Sequence, residues 1–338
     1  MRYPGGVELP DDLQAVQRRA ERLEWITLAY MLTAITAVYF TLGSSQAMRG
    51  AFIEDILGLF PPIAFLVATR IRSRAPNDAF PFGYHRAMSV AYVVATLALV
   101  ALGGFLFLDS ALKLLSGEHP TIGMVELFDW QVWLGWLMIA ALVYTGVPAV
   151  ILGQMKKKLA AELHDKTLYA DAEMNRADWM TAFAAIGGII GIGAGLWWAD
   201  SVAALFISAD ILRDGFKYTK GAMEDLTDGR PRKHDEAKPH ELIEAVADEV
   251  REWDWVRRSV VRLREDGHLI AGQVIVVPVA EDGLIDRLEE GTERLRALDW
   301  KVQDVVIVPV RDIEGLEELG VTQIAGGAPE TRGEPDDG

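Results

Sequence analysis

The sequence contains no cysteine among its 338 residues. This absence excludes disulfide bonds, thiolate metal ligands and cysteine nucleophiles. Basic residues are outnumbered, because 33 Lys and Arg face 49 Asp and Glu and the formal net charge is -16. Such a charge argues against nucleic acid as a partner. A nucleophile–base set, a P-loop and a dinucleotide fingerprint are also missing, so we expect no enzyme and no permanently bound cofactor.

A signal peptide is not visible in the first residues either. The segment MRYPGGVELPDDLQ is acidic and has no apolar core, whereas a signal peptide needs one. We therefore expect residues 1–22 to form a cytoplasmic N-terminal segment, and we expect the first apolar run to remain as a membrane helix.

Apolar residues make up 51% of the chain and are concentrated in its first two-thirds. A helix of about 20 such residues crosses roughly 30 Å of hydrocarbon. Six runs with little charge occupy about 25–43, 50–70, 89–115, 130–153, 177–197 and 200–218. The sequence therefore predicts an α-helical membrane protein with six transmembrane helices within residues 23–231.

The connecting loops alternate in charge. Lys and Arg in short loops mark the cytoplasmic side of a membrane protein. Basic segments lie before the first run, between the second and third runs, and between the fourth and fifth runs, where the chain reads QMKKKLAAELHDK; the other connections hold only Arg49. This alternation predicts an integral membrane protein with both termini in the cytoplasm, and we expect it in a bacterial inner membrane.

The chain changes character after Pro231. Residues 232–312 contain, in order, a helical pattern, two strand patterns around the turn EDGH, a second helical pattern and a third strand, KVQDVVIVPV. The order α-β-β-α-β over this length predicts a small cytoplasmic ferredoxin-like α+β domain. Residues 313–338 are rich in Gly, Pro and acidic residues, so we expect a disordered acidic tail.

Three segments resemble motifs of the cation diffusion facilitator family. FGYHRAMSVA at 82–91 resembles the family's Phe-Gly-His-x-Lys-x-Glu motif after the second helix, and YADAEMNRADWMTA at 169–182 resembles its Ala-Asp-x-x-His-x-x-x-Asp entrance to the fifth. WWADSVAALFISADILRDGFKYTKGAMEDLTDGRP at 197–231 resembles the family's sixth helix and its exit. The resemblance implies a homodimeric secondary transporter that exports a divalent metal cation from within the lipid bilayer, with protons as the second substrate.

The resemblance also indicates which residues take the positions of the family's metal ligands. The acid pair of the second helix falls on Glu54 and Gly58, and the His and Asp of the fifth helix fall on Met174 and Asp178. Two of these four positions therefore keep a ligand of the expected type. In the cytoplasmic domain, the positions at which relatives carry His look like Ser259 and Val308, so we expect no metal site there.

The acids that remain predict an oxygen-rich cation site. A carboxylate inside lipid costs several kcal/mol unless it is paired, hydrated or bound to a cation. On a helix Asp171, Asn175 and Asp178 fall on one face, with Met174 on its flank. Together with Glu54 they suit Mn²⁺, Fe²⁺ or Mg²⁺ better than Zn²⁺, although the choice among Mn²⁺, Fe²⁺, Zn²⁺ and Co²⁺ stays open.

Other acids in the apolar helices leave two interpretations open. Asp55 is either a further ligand or the partner of an Arg. Asp171 is either a ligand or a solvated acid in the first helical turn, where acids are favoured. Asp210 and Asp214 flank Arg213, and we expect an ion pair there rather than a metal site.

Arg86 and Asp228 match a charge pair of the family. The resemblance implies that these two residues form an inter-helix pair at the boundary between membrane and cytoplasm, near the dimer hinge. An Arg at position 86 keeps the positive charge of the family's Lys and adds a fork that can hold a carboxylate with two hydrogen bonds.

A second class of function is compatible with the same residues. Because Gly58 and Met174 replace two of the four expected ligands, the chain is alternatively a non-transporting or regulatory relative that has lost metal binding and acts through a partner.

Overall fold

The structure, a computed structural model, describes residues 10–41, 52, 55–117, 123–127, 130–193, 195–235, 238–316 and 321–324. The chain falls into two compact units. The helical unit comprises Asp11–Arg74 and Ala87–Met223, and the α+β unit comprises Met1–Pro10, Ala75–Arg86 and Glu224–Gly338. The loop at 75–86 therefore belongs to the α+β unit, whereas the sequence assigned it to the six-helix region.

Where the structure describes the helical unit, it contains six helices of 13 residues or more. They are α1 (Asp11–Thr41), α2 (Phe60–Arg72), α3 (Ala87–Ser116), α4 (Leu134–Leu163), α5 (Lys166–Gly193) and α6 (Ala199–Leu226). Within the described residues, α3 and α4 are long and apolar enough to cross a membrane. Charged residues within α1, α5 and α6 make those helices less apolar, so the remaining four of the six spans stay a prediction.

The chain just before α2 is not a continuous helix. Residues 55–57 form a helical turn, residues 58–59 form a non-helical turn, and α2 begins at Phe60. Pro61 and Pro62 occupy its first turn, where a missing N–H is tolerated because the first N–H groups of a helix have no acceptor within that helix. The break begins at Gly58, three residues after Asp55.

A short hairpin precedes α4. Strands β1 (Met124–Leu127) and β2 (Trp130–Trp133) pair antiparallel, with Val125 opposite Val132. The predicted helix at 130–153 therefore begins four residues later than expected, because the β-prone residues WQVW extend into the hairpin. Trp133 and Trp136 then meet edge to face, with ring centroids 5.8 Å apart.

The core of the helical unit lies between α3, α5 and α6. Tyr92 and Leu99 from α3, Met174 from α5 and Ile211 from α6 belong to one buried apolar cluster. Small residues allow these helices to approach closely, since a Cβ added at Gly215 of α6 would lie 2.9 Å from the Val100 side chain of α3. Close packing of this kind is the main source of helix association in lipid.

The α+β unit has the predicted order of elements. Helix α7 (Leu242–Arg251), strands β3 (Val256–Asp266) and β4 (Leu269–Pro278), helix α8 (Leu284–Leu298) and strand β5 (Val302–Pro309) follow one another. With a further strand, β6 (Val321–Ile324), the sheet order is β5-β4-β3-β6, with β3 antiparallel to β4 and β4 parallel to β5. Val250 of α7, Val274 of β4 and Leu295 of α8 share one core.

The expectation of disorder from residue 313 onward is wrong for part of that segment. Ile313 is fully buried, and strand β6 (Val321–Ile324) pairs antiparallel with β3, with Val261 opposite Val321. The physical reason is that β3 has an open edge, which a short segment containing Val, Thr and Ile can satisfy by backbone pairing.

Gly272 allows β3 and β4 to pair. Its φ of 154° favours glycine, and a Cβ added there would lie 2.1 Å from the carbonyl oxygen of Arg262. A contact this short forces the two strands apart because the obstructing atom belongs to the backbone.

We expect Gly272→Ala to lower the free energy of unfolding of the α+β unit by about 3 kcal/mol. Chemical denaturation of the purified protein, followed by tryptophan fluorescence, measures the change. Gly283→Ala is the control, because Gly283 also has a positive φ of 65° but has open space around it; it should cost only about 1–2 kcal/mol. Equal losses from both substitutions would contradict this explanation.

Candidate cation site

Asp55 has a carboxylate oxygen whose hydrogen-bonding capacity the described residues do not use. It is half-buried, and its Oδ2 atom is buried and accepts no hydrogen bond from the described residues. No Arg or Lys of the described chain forms an ion pair with it, so the alternative of an Arg partner does not hold there. The neighbouring Gly58 is buried and has no side chain. Glu54 lies outside the described residues.

The predicted face of α5 is buried more deeply than expected. Asp171, Met174 and Asn175 are at most 5% exposed, and Asp178 is half-buried. The Asn175 amide donates a hydrogen bond of 3.0 Å to the carbonyl of Asp171, which leaves its own oxygen as the possible ligand atom. Met174 packs in the apolar cluster around Tyr92. The interpretation of Asp171 as a solvated helix-starting acid is therefore wrong.

Tyr30 of α1 lies near both parts of the candidate site. Its hydroxyl interacts electrostatically with the carboxyl groups of Asp55 and Asp178, so two acids from different segments lie in the neighbourhood of one hydroxyl group. Sequence reasoning missed Tyr30. The available signal was a hydroxyl-bearing aromatic residue in the middle of an otherwise apolar run, WITLAYMLTAITAVYF.

Asp171 is engaged by a buried ammonium group. Lys156 of α4 is fully buried, and its Nζ lies 2.6 Å from Asp171 Oδ2 and 3.0 Å from Glu24 Oε2 of α1. Glu24 is also fully buried. Breaking such a buried ion cluster is costly because one charge would be left without a partner. Sequence reasoning treated Lys156 only as part of a basic loop and missed Glu24.

A second ion cluster joins α5 to α6. Arg176 pairs with Glu173 at 2.6 Å and with Asp210 at 3.2 Å, and it also contacts Asp214. The ion pair expected for Asp210 and Asp214 therefore exists, but its cation is Arg176 of the neighbouring helix rather than Arg213. The guanidinium group of an arginine can contact several carboxylates at once, which explains how Arg176 alone pairs with three acids.

Within the α+β unit, Arg86 and Asp228 form the expected ion pair. Arg86 also donates to the carbonyl of Leu226 at 3.2 Å, and Arg264 of β3 lies 3.4 Å from the other Asp228 oxygen. Asp228 has a φ of 62°, a left-handed conformation that is uncommon outside glycine. The chain turns there directly after α6, and this turn directs the carboxylate toward both arginines.

Asp266 of β3 extends this charge network. Its Oδ1 lies 3.6 Å from Arg86 Nε, too far for a hydrogen bond. Burial raises the pKa of the Asp266 carboxyl above its usual value, although His85, Arg86 and Arg264 lower it. The neighbouring cations therefore offset only part of the effect of burial on the Asp266 carboxyl group.

The described residues contain no group of three His, Asp or Glu side chains arranged to hold a metal ion. In the α+β unit, Ser259 is buried and Val308 packs beside a buried apolar cluster. For the candidate site in the helical unit, the candidate ligands among the described residues are Asp55 and Asp178, with Asn175 on the same face of α5 as Asp178.

Comparison with known proteins identifies the family. Residues 25–227, more than half of the chain, match the cation efflux transmembrane domain. The chain is 27% identical over 205 residues to the manganese efflux system protein MneS of Bacillus subtilis (strain 168), covering 60% of this chain and 66% of that protein, just under two thirds.

Two further relatives align over longer stretches. The manganese efflux system protein MneP of Bacillus subtilis (strain 168) is 23% identical over 250 residues, covering 71% of this chain and 77% of MneP. The cation-efflux pump FieF of Cronobacter sakazakii (strain ATCC BAA-894) is 23% identical over 256 residues, covering 75% of this chain and 77% of FieF. The chain therefore belongs to the cation efflux family, whose members are membrane transporters rather than enzymes.

Proposed function

We propose that this protein is a secondary active transporter that exports divalent metal cations. The observation that supports this most directly is the buried Oδ2 atom of Asp55, which accepts no hydrogen bond from the described residues; Asp178, from another segment, interacts electrostatically with the same Tyr30 hydroxyl as Asp55 does. A buried carboxylate oxygen without a hydrogen bond, as found at Asp55, is costly in an apolar helix unit unless a cation or a proton neutralises it.

The transported ion is a hard or borderline cation, and we propose Mn²⁺. The candidate ligands Asp55, Asp178, Asn175 and Glu54 offer oxygen atoms, which suit Mn²⁺. Two relatives are named as manganese efflux proteins. Met174 adds at most a thioether, and Asp171 is held by Lys156, so the proposed first ligands are Asp55, Asp178 and Glu54.

Proton exchange is the proposed coupling. Without a histidine at the site, carboxyl groups have to exchange the proton for the metal, which buried carboxyls can do because burial favours their protonated form. We propose a homodimer in a bacterial inner membrane with six spans and both termini in the cytoplasm. The names of the relatives favour transport over the non-transporting alternative.

For the ion pairs around Arg86, we propose a role in the conformational change by which the transporter moves its cation across the membrane. Asp228 adopts the left-handed conformation that is common just after the C-terminus of a helix, and its carboxylate contacts both Arg86 and Arg264. Arg86 directly precedes α3, and Asp228 follows the end of α6 by two residues. The pair thus joins the chain segments next to two helices of the transport unit.

Asp55→Asn and Asp178→Asn should each reduce the initial rate of Mn²⁺ uptake into proteoliposomes by at least about tenfold, because each removes one charge from the proposed ligand set. Asp78→Asn is the control, since Asp78 is an exposed acid in the loop at 75–86. Wild-type uptake by the double variant Asp55→Asn/Asp178→Asn would remove both residues from the mechanism.

Arg86→Gln and Asp228→Asn should each slow Mn²⁺ uptake by about threefold or more, whereas the loss in stability should stay below about 1 kcal/mol because the pair is half-exposed. Asn tolerates the left-handed backbone of Asp228, so this substitution tests the charge alone. The matched control is Arg232→Gln, which breaks a similarly exposed pair with Glu224. If the control slows uptake equally, the Arg86–Asp228 pair has no special role.

A further inference from the structure

Pro148 leaves one carbonyl group of α4 without its usual donor. The helix runs from Leu134 to Leu163 and contains Pro148 in its interior. Proline has no N–H, so the carbonyl of Tyr144, four residues earlier, lacks its regular helical hydrogen bond. In a membrane this carbonyl needs a donor from a neighbouring side chain, because lipid supplies none.

Tyr30 of α1 supplies that donor. Its hydroxyl lies 2.9 Å from the carbonyl oxygen of Tyr144 and 2.8 Å from that of Thr145. A hydroxyl group has a single proton and donates to one acceptor at a time. The carbonyl of Tyr144 is the one that Pro148 leaves unsatisfied, so the Tyr30 hydroxyl takes over the role of the missing amide.

A second set of hydrogen bonds fixes the same turn. The Thr33 hydroxyl donates to the carbonyl of Tyr30 at 2.7 Å and lies 2.8 Å from the Tyr144 hydroxyl. The rings of Tyr30 and Tyr144 lie 5.9 Å apart. Helices α1 and α4 are therefore joined at two points around the turn that Pro148 interrupts.

This turn of α4 is packed directly against the part of α5 that carries Asp178. A Cβ added at Gly146 would lie 3.0 Å from the Cβ of Ala182, and one added at Gly153 would lie 3.2 Å from the Cβ of Asn175. These two close approaches lie on either side of Pro148 in α4 and on either side of Asp178 in α5. A shift of the α4 turn would consequently displace Asp178.

We propose that Tyr30 is a positioning residue for cation transport: by donating to the carbonyl that Pro148 frees, it fixes the turn of α4 that holds Asp178 in place. The proposal rests on the proposed function of Asp55 and Asp178 as cation ligands. Tyr30 itself touches no cation in this scheme and acts through α4.

The test is a double-mutant cycle of Tyr30→Phe and Pro148→Ala, because alanine restores the amide N–H at position 148. Apparent KM and kcat for Mn²⁺ uptake are measured in proteoliposomes. Tyr30→Phe alone should raise KM about three- to tenfold and leave kcat within about twofold. In the Pro148→Ala background, Tyr30→Phe should change KM by less than about twofold, since the carbonyl is then satisfied within the helix.

A purely structural role for Tyr30 would reduce the amount of active protein, which lowers kcat and leaves KM unchanged. The matched control is Tyr144→Phe, which removes a hydroxyl from the same contact but keeps the carbonyl; it should leave KM within about twofold in both backgrounds. An equal rise in KM from Tyr30→Phe with and without Pro148 would overturn the proposal, and so would a fall in kcat with constant KM.

Thermal unfolding of the same variants in detergent gives a measurement that does not depend on transport. Tyr30→Phe should lower the midpoint of unfolding more in the presence of Pro148 than in the Pro148→Ala background, and equal shifts would overturn the proposal.

If Pro148→Ala does not fold, hydrogen–deuterium exchange tests the proposal instead. Tyr30→Phe should increase exchange in α4 near residue 148, whereas Tyr144→Phe should not. Unchanged transport by the Asp55 and Asp178 variants would instead refute the proposed function while leaving this hydrogen bond intact.

Discussion

The ammonium group of Lys156 has no contact with solvent, and carboxylates from two other helices neutralise it. Because the charge of Lys156 has to be neutralised, α1, α4 and α5 must each be rotated about their axes so that these three side chains meet at one level of the helical unit. Tyr30 follows Glu24 by six residues, Asp178 follows Asp171 by seven, and Pro148 precedes Lys156 by eight. At 1.5 Å per residue, all three lie roughly 9–12 Å from the ion cluster along their helices. The cluster thus brings the hydroxyl, the carboxylate and the interrupted turn to the same depth.

The acids of the helical unit differ in how their charge is balanced. Asp171 and Glu24 share Lys156, Asp210 and Asp214 share Arg176, and Asp109 pairs with Lys113 within one helix. Permanent partners of this kind cannot be released without leaving a buried charge. Asp55, by contrast, has an oxygen that accepts no hydrogen bond from the described chain. This difference sets Asp55 apart from the acids that hold the helices together.

Periodicity and composition predicted the parts of the fold that depend on local patterns. The α-β-β-α-β order of the second unit is found in the structure. The pairing of Arg86 with Asp228, 142 residues apart, is also found, but it was expected from the family resemblance and not from a local pattern. Contacts between distant segments were not predictable in the same way. The partner of Asp210 is Arg176 rather than the adjacent Arg213, and β6 exists because β3, about 60 residues earlier, offers an open edge. In each case the deciding partner is remote in sequence.

The tandem prolines at the start of α2 have a consequence for mutagenesis. Neither Pro61 nor Pro62 carries an amide N–H, so neither can serve as the i+4 donor to the carbonyls of Leu57 and Gly58. Gly58 occupies a position where an acid was expected, and it has no side chain, but its main-chain carbonyl oxygen receives no hydrogen bond from Pro62. Mutagenesis of side chains leaves this oxygen unchanged. Replacing the peptide bond with an ester, or labelling the carbonyl for infrared spectroscopy, examines the oxygen directly.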